Sequence, residues 1–290
     1  MRCHFTTEVL RQLIHLGANI VAIFVPGPPA LALPLRLKRR VALPLATLPE
    51  RLTLDDLAYA NDVPLYQIGQ LQSPGLIEII RSMRPDVLAV ACYPTRIPVI
   101  VRRLPQFGAF NLHPSLLPDK RGPDPWFWTF RDGSCSAGVT VHELSGRFDS
   151  GSIAAQASWP LADGTTEAEL EQAAAVRGAA LLMEVTHRAH NGVLELHAQD
   201  EAAATWAPYP HADDYRLDAS MSARAAFNFI RGVQARGEPI SARVNDSVLR
   251  IVEAVAYRDH PHPPSDVPVD VAPLPFHGGV LLARVTAWAE

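Results

Sequence analysis

The sequence predicts an α/β protein built on an open, mostly parallel, doubly wound sheet, followed by a small, mainly β region. Apolar runs of strand length alternate with helical patterns over the first 190 residues, the order that produces parallel sheets. Beyond residue 206 the pattern becomes one helix followed by strand-like runs. The 290 residues are 48% hydrophobic, so a large core can form.

The first half of the pattern contains three predicted strands, each preceded by a predicted helix. These elements include a helix over 7–16 and buried strands at 19–25, 63–68 and 86–92. Thr53 can cap the second helix, and Ser73 followed by Pro74 can open the third. Ligands of such sheets bind where the strands end, so the loop after 86–92 is a candidate for the chemistry.

The second half of the pattern leads to a long helix from Thr166 to about His190. The elements before it are short helices at 98–104 and 124–130 and strands at 108–112, 137–144 and 151–161. The segment 124–130 holds two tryptophans and two phenylalanines at helical spacing, a pattern that favours packing in a core. The loop after 108–112 is the second candidate for the chemistry.

Composition excludes several functional classes. The net charge of −4 does not call for nucleic acid, and no apolar run is long enough to span a membrane. Cys3, Cys92 and Cys135 have no paired spacing, so we expect a reducing cytoplasm rather than a disulfide framework. No histidine or cysteine spacing predicts a metal site.

Two motifs in the middle of the chain indicate a function. "FNLHPSLLP", residues 110–118, precedes "VTVHELSGRFDSGSI", residues 139–153. In this order they resemble the formyltransferase family that uses 10-formyltetrahydrofolate and serves one-carbon metabolism. The resemblance covers most of residues 4–195. It implies a Rossmann-like formyltransferase domain at 1–200, with a β-rich, OB-like domain at 206–290, and no metal.

The family's catalytic triad matches Asn111, His113 and Asp149. Formyl transfer needs a donor to the developing oxyanion, which the Asn111 amide can supply. His113 can donate to the same oxygen or relay the proton that the amine loses. Asp149 can orient His113, raise its pKa or accept the proton through water. A spacing of two residues on a strand places Asn111 and His113 on one side.

The resemblance also implies contacts with 10-formyltetrahydrofolate. The family lines its pteridine pocket with the loop at 91–98, which makes Cys92, Tyr93 and Ile97 candidate contacts, together with Phe148. The alternative is that Tyr93 and Ile97 pack in the core. Ser115 either contacts substrate or bonds to backbone within its own loop.

The acceptor amine stays open between methionyl-tRNA and a small molecule such as an amino sugar or a hydroxylamine. Arg36 and Lys38 begin a basic cluster where tRNA-formylating relatives have a tRNA-binding loop; the alternative is a solvated loop. Residues 206–290 hold eight arginines, no lysine and ten acidic residues, a net charge of −2. That balance does not support tRNA binding, because phosphate contacts dominate affinity for nucleic acids.

Two other functions fit the same residues. One is a hydrolase that releases formate from 10-formyltetrahydrofolate, and the other is that of an inactive folate-binding paralogue. An apparently missing first strand suggests the inactive paralogue. Phe5 aligns with a phenylalanine that follows this strand in relatives. Too few residues precede Phe5 for that strand. We therefore expect either a start upstream of Met1 or a gap in the middle of the sheet.

Overall fold

The computed structural model describes residues 4–37, 52–244 and 247–287. Within those ranges the helices are α1 (His4–His15), α2 (Leu54–Ala60), α3 (Pro74–Met83), α4 (Val99–Arg102), α5 (Pro125–Arg131), α6 (Glu167–His190) and α7 (Ala223–Val233). The strands are β1 (Ile23–Pro26), β2 (Leu35–Arg36), β3 (Leu65–Ile68), β4 (Leu88–Val90), β5 (Ala109–His113), β6 (Ser136–Glu143), β7 (Ile153–Pro160), β8 (Arg216–Leu217), β9 (Ile240–Val244), β10 (Ser247–Arg258), β11 (Ala272–Phe276) and β12 (Gly279–Ala287).

The order of these elements confirms the α/β class, and the predicted helix caps are present. Thr53 and Asp56 form a capping box at the start of α2, and the Ser73 hydroxyl accepts the Leu76 N–H at the start of α3. The long predicted helix is confirmed as α6. The strand predicted at 19–25 is shorter, because its pairing with β3 begins only at Ile23.

The strands of the first 160 residues form two sheets, where the sequence predicted one. β1 and β3 are parallel and β2 adds to β3, while the second sheet has the order β4-β5-β6-β7. Among the described residues no strand joins β1 to β4. Phe24 of β1 and Val90 of β4 nevertheless pack against one apolar cluster, which includes Ile68. Side chains of both sheets thus contribute to one apolar cluster.

The chain divides into two compact units whose segments alternate along the sequence. The first contains Met1–Arg121, Gly138–Ala157 and Gln172–Ala204, and the second contains Gly122–Ala137, Ser158–Glu171 and Thr205–Glu290. The second unit carries a five-stranded sheet with the order β11-β12-β10-β9-β8. This sheet confirms the predicted β-rich C-terminal region.

The core of the second unit includes the aromatic helix α5. Phe127 is fully buried, with its ring centroid 5.0 Å from that of Tyr215 and 5.5 Å from that of Phe229. The prediction that this helix packs in a core is confirmed. Arg236 then bonds to Asp124 and to Glu167, with shortest distances of 2.6 Å to each carboxylate. This arginine therefore ties the three segments of the second unit together.

Among the residues that the structure describes, no helix is both long enough and apolar enough to cross a lipid bilayer.

Candidate active site

Two neighbouring antiparallel strands, β5 and β6, present a group of polar side chains on one face of their sheet. Asn111 pairs with His142 across the two strands, and His113 pairs with Thr140. Side chains two residues apart share a face, and directly paired residues do too. The two histidines and Thr140 are buried at 4%, 1% and 0% exposure.

Asp149 lies in the loop after β6 and brings this group to one point. Its Oδ1 atom is 3.3 Å from Asn111 Nδ2, 3.6 Å from His113 Nδ1 and 3.5 Å from His142 Nε2. The Asn111 contact is a long hydrogen bond, and the two histidine contacts are ion-pair distances rather than hydrogen bonds. One carboxylate oxygen therefore has three polar side chains around it, two of them predicted from the sequence.

Backbone carbonyls determine which nitrogen of each imidazole carries a proton. His113 Nε2 lies 2.8 Å from the Lys120 carbonyl oxygen, and His142 Nδ1 lies 2.8 Å from the Glu143 carbonyl oxygen. A carbonyl oxygen only accepts, so both of these nitrogens donate. When the rings are neutral, His113 Nδ1 and His142 Nε2 keep their lone pairs, and both point toward the group around Asp149.

The pKa of His113 is lowered from its ordinary value near 6.5. Burial is the largest cause, because removing the imidazole from water disfavours its charged form. The Asp149 carboxylate and the bond to the Lys120 carbonyl act in the opposite direction, and His142 adds to the lowering. His113 is consequently a neutral imidazole at neutral pH, with a free lone pair on Nδ1.

The Asn111 amide has a single favourable orientation. Its Nδ2 donates to His142 Nε2 at 3.1 Å and to Asp149 Oδ1 at 3.3 Å. A flipped amide would put its oxygen against a lone pair and a carboxylate. The N–H groups of Asn111 therefore point toward the reactive centre.

The turn that carries Asp149 depends on Gly151. A Cβ atom at position 151 would lie 1.9 Å from the Glu143 carbonyl oxygen, so the turn approaches β6 too closely for any other residue. Asp149 itself has a φ of +51°, in the left-handed region. These two features explain the D-S-G pattern as a turn folded tightly against the strand that holds His142.

Comparison with known proteins identifies the family. The model of the family described as formyl transferase matches residues 4–186. The chain belongs to the formyl transferase family. It is 33% identical over 213 residues to a methionyl-tRNA formyltransferase of Synechococcus, covering 73% of this chain and 65% of that protein. It is 32% identical over 233 residues to the methionyl-tRNA formyltransferase of Thermotoga maritima, covering 80% and 70%.

The fold is also that of a solved N-formyltransferase. The structure from Helicobacter canadensis, in complex with folinic acid and dTDP-3-aminofucose, matches 98% of this chain and 97% of its own, with a TM-score of 0.65 and 12% identity. At that identity the match shows the fold alone. The chain spans about two thirds of the length of the two methionyl-tRNA formyltransferases that it matches.

The proline-rich loop of the family member is held by hydrogen bonds within the loop and by side chains of β6 and β7. Ser115 is buried and donates its hydroxyl to the Asp119 carbonyl oxygen at 2.7 Å. Thr140 donates to the Ser115 carbonyl oxygen and accepts the Leu117 N–H, and Gln156 donates to the Leu117 carbonyl oxygen. For Ser115 the structure favours the alternative of a hydroxyl bonded to backbone within its own loop.

The four candidate folate contacts differ in position. Val90 pairs with Asn111, so the loop at 91–98 begins beside the polar group. Cys92 is half-buried with a φ of +56°, and burial raises the pKa of the half-buried Tyr93. Ile97 is buried in an apolar cluster and Tyr93 packs against the same cluster, which favours the core alternative for Ile97 and fits it for Tyr93. Phe148, next to Asp149, is 45% exposed.

The structure describes one of the two basic candidates. Arg36 is exposed in β2, and it lines an open cavity of about 410 Å³ together with Tyr59 and Asp62. None of the residues around Asp149 lines that cavity. Lys38 lies outside the described residues.

Sequence reasoning missed His142, which is 1% exposed and bonds to Asn111. The residue stood in the quoted motif, seven positions before Asp149, and alternation along β6 would have given its face. Its pairing with Asn111 depends on the register between β5 and β6, which no local pattern supplies. Cross-strand pairing, once known, identifies it immediately.

Proposed function

We propose that this protein is an N-formyltransferase that moves the formyl group of 10-formyltetrahydrofolate to an amine. Family membership supports the reaction class. The observation that carries the proposal is the convergence of Asn111, His113 and His142 on one oxygen of Asp149. Such a group can stabilise an oxyanion and remove a proton at the same point.

Asn111 is the proposed oxyanion donor. As the amine nitrogen bonds to the formyl carbon, negative charge develops on the formyl oxygen. Asn111 makes two hydrogen bonds, and the one to Asp149 at 3.3 Å is longer and therefore weaker than the one to His142 at 3.1 Å. The N–H that now points to Asp149 is the one available to the formyl oxygen. The bond to His142 keeps the amide aligned while this exchange takes place.

His113 is the proposed base. Its Nε2–H is held by the Lys120 carbonyl, so the lone pair of Nδ1 is the site that accepts the proton lost by the amine. The resulting imidazolium lies 3.6 Å from the Asp149 carboxylate, which stabilises its charge. His113 then returns that proton to the departing nitrogen of the folate, which leaves as tetrahydrofolate.

The proposal places 10-formyltetrahydrofolate beside the loop at 91–98. The fit rests on the pairing of Val90 with Asn111, which brings the start of this loop to the polar group. Cys92, Tyr93 and the exposed ring of Phe148 are the side chains that would line the pteridine, with Ile97 packed beneath them. When bound, the folate supplies the activated formyl group, and the residues of this chain orient it and move protons.

The proposed acceptor class is inferred from the net charge of the C-terminal region and not from the geometry of the site. We place the catalytic chemistry in residues 1–200 and propose that the β-rich, OB-like region at 206–290 has a part in acceptor recognition. Its net charge of −2 favours a small amine, such as an amino sugar or a hydroxylamine, over methionyl-tRNA. We also propose a cytoplasmic location, because the three cysteines have no paired spacing.

The direct test is incubation of the protein with 10-formyltetrahydrofolate and a panel of amines, following the release of tetrahydrofolate. The panel contains methionyl-tRNA, nucleotide-linked amino sugars and hydroxylamines. Release that requires one acceptor supports the proposal, and release without an acceptor identifies a hydrolase. No release with any member of the panel, together with binding of 10-formyltetrahydrofolate, would indicate a folate-binding protein instead.

The roles of individual residues need matched variants. Asn111→Ala and Asp149→Asn should each lower turnover roughly a hundredfold, the usual cost of removing an oxyanion donor or its support. Glu184→Gln is the control, because Glu184 is an exposed carboxylate on α6 whose ion pair is with Arg188 on the same helix. Turnover that survives both site variants would show that the roles are wrongly assigned.

A further inference from the structure

A glutamine outside the residues matched by the family model bonds to the turn that carries Asp149. Gln199 Nε2 donates to the carbonyl oxygen of Asp149 at 2.8 Å and to that of Gly151 at 2.7 Å. The family model ends at residue 186. Both amide hydrogens of Gln199 are therefore committed to the backbone of one turn.

The oxygen of the same carboxamide is held by a buried arginine. Gln199 Oε1 accepts from Arg121 Nε at 3.0 Å and from Arg121 Nη2 at 2.8 Å. Arg121 is 7% exposed, and its guanidinium also bonds to the Glu201 carboxylate through Nη1 and Nη2. All four hydrogen-bonding positions of the Gln199 amide are thus occupied, which fixes its orientation.

Arg121 connects this turn to the partner of His113. It directly follows Lys120, whose carbonyl oxygen accepts from His113 Nε2. Lys120 and Asp149 both have left-handed backbone, with φ of +58° and +51°. Non-glycine residues persist in that region only where their surroundings hold them. The bonds between Arg121 and Gln199 thus link the residue that follows Lys120 to the turn that carries Asp149.

We infer that Gln199, held by Arg121, is a positioning residue that keeps the Asp149 carboxylate in place beside His113 and Asn111. The inference rests on the proposed function for its catalytic meaning, although the positioning itself is measurable without turnover. The hydrogen bonds of Gln199 go to Arg121 and to the carbonyls of Asp149 and Gly151, and not to the side chains of Asn111, His113 or His142. Gln199 acts only through the backbone of the Asp149 turn.

The test replaces Gln199 with methionine, which has a similar length and no N–H groups. Histidine NMR then gives the pKa of His113, assigned through the signal that disappears in His113→Gln. His113 faces Asp149 and His142, and the Asp149 carboxylate raises its pKa. Displacement of Asp149 should therefore lower the pKa of His113 in Gln199→Met, with Asp149→Asn giving the limit of that shift.

Two comparisons keep the result interpretable. Gln234→Met is the matched control, because Gln234 also donates to a backbone carbonyl, that of Val252, in the other unit. It should leave the pKa of His113 unchanged. If Gln199→Met does not fold, Gln199→Asn takes its place, because the shorter amide cannot reach Arg121 and both carbonyls at once. A folded Gln199 variant with an unchanged pKa for His113 would overturn the inference.

Kinetics supply the second measurement once an acceptor is found. Gln199→Met should lower kcat by about tenfold or more while KM for 10-formyltetrahydrofolate changes less than about twofold, because the residue acts on the reacting groups and not on folate binding. A loss confined to KM would contradict positioning. If the unaltered protein transfers no formyl group, the proposed function fails, and the NMR result still decides the inference.

Discussion

His113 Nε2 donates to the Lys120 carbonyl oxygen at 2.8 Å, and this contact determines that Nδ1 is the nitrogen facing Asp149. The base of the proposed reaction is thus selected by one backbone carbonyl. Asp149 reaches the lone-pair side of a buried imidazole rather than its N–H. The carboxylate can therefore stabilise the imidazolium that forms during transfer without holding a proton beforehand.

Stability should depend on pH through His113. Because burial lowers its pKa in the folded protein, the unfolded chain takes up a proton first as the pH falls below about 6.5. The contribution of His113 is complete above that value and is lost as the pH falls toward the lowered pKa. Urea unfolding at pH 7.5 and 5.5 should show a smaller pH dependence in His113→Gln than in the unaltered protein. Equal dependence in both would contradict the lowered pKa.

His142→Leu should reduce turnover by freeing the Asn111 amide to rotate. The variant loses one hydrogen bond between neutral groups, so we expect kcat to fall roughly three- to tenfold with little change in KM. His187→Leu is the control, because His187 is exposed on α6. Unchanged kcat in a folded His142→Leu protein would show that Asn111 does not depend on His142 for its alignment.

Gly151→Ala should destabilise the protein by about 3 kcal/mol, because its methyl group would enter the Glu143 backbone. Gly146→Ala, in the same loop, has nothing within 4 Å of the added carbon and should be nearly neutral. Thermal unfolding followed by circular dichroism measures both. Equal midpoints for the two variants would mean that the turn relaxes away from β6.

Arg236→Met should destabilise the second unit by about 3 to 5 kcal/mol, because it leaves two largely buried carboxylates without their partner. Arg284→Met also breaks two ion pairs, with Glu253 and Asp270, but on the exposed surface. It should change stability little, since water and salt screen such pairs. Urea unfolding compares the two variants, and similar losses would contradict the role given to burial.

Local patterns were sufficient for the elements and for part of the site. Helix caps at Thr53 and Ser73, the strand period of Asn111 and His113, and the aromatic spacing of α5 all follow from short stretches of sequence. His142 and Gln199 could not be found that way. The position of His142 depends on strand register, and Gln199 acts through the backbone of residues that are distant in sequence. The division into two sheets likewise depends on hydrogen bonding between distant strands.

The position of α5 has a consequence for exchanging parts between relatives. The segment 122–137 joins the strand of His113 to the strand of His142, yet it belongs to the core that contains Phe229. A single crossover near residue 205 would separate this helix from the partners it packs against. A chimera that keeps the core of the second unit intact would have to carry its three segments together, so recombination at one point breaks that core.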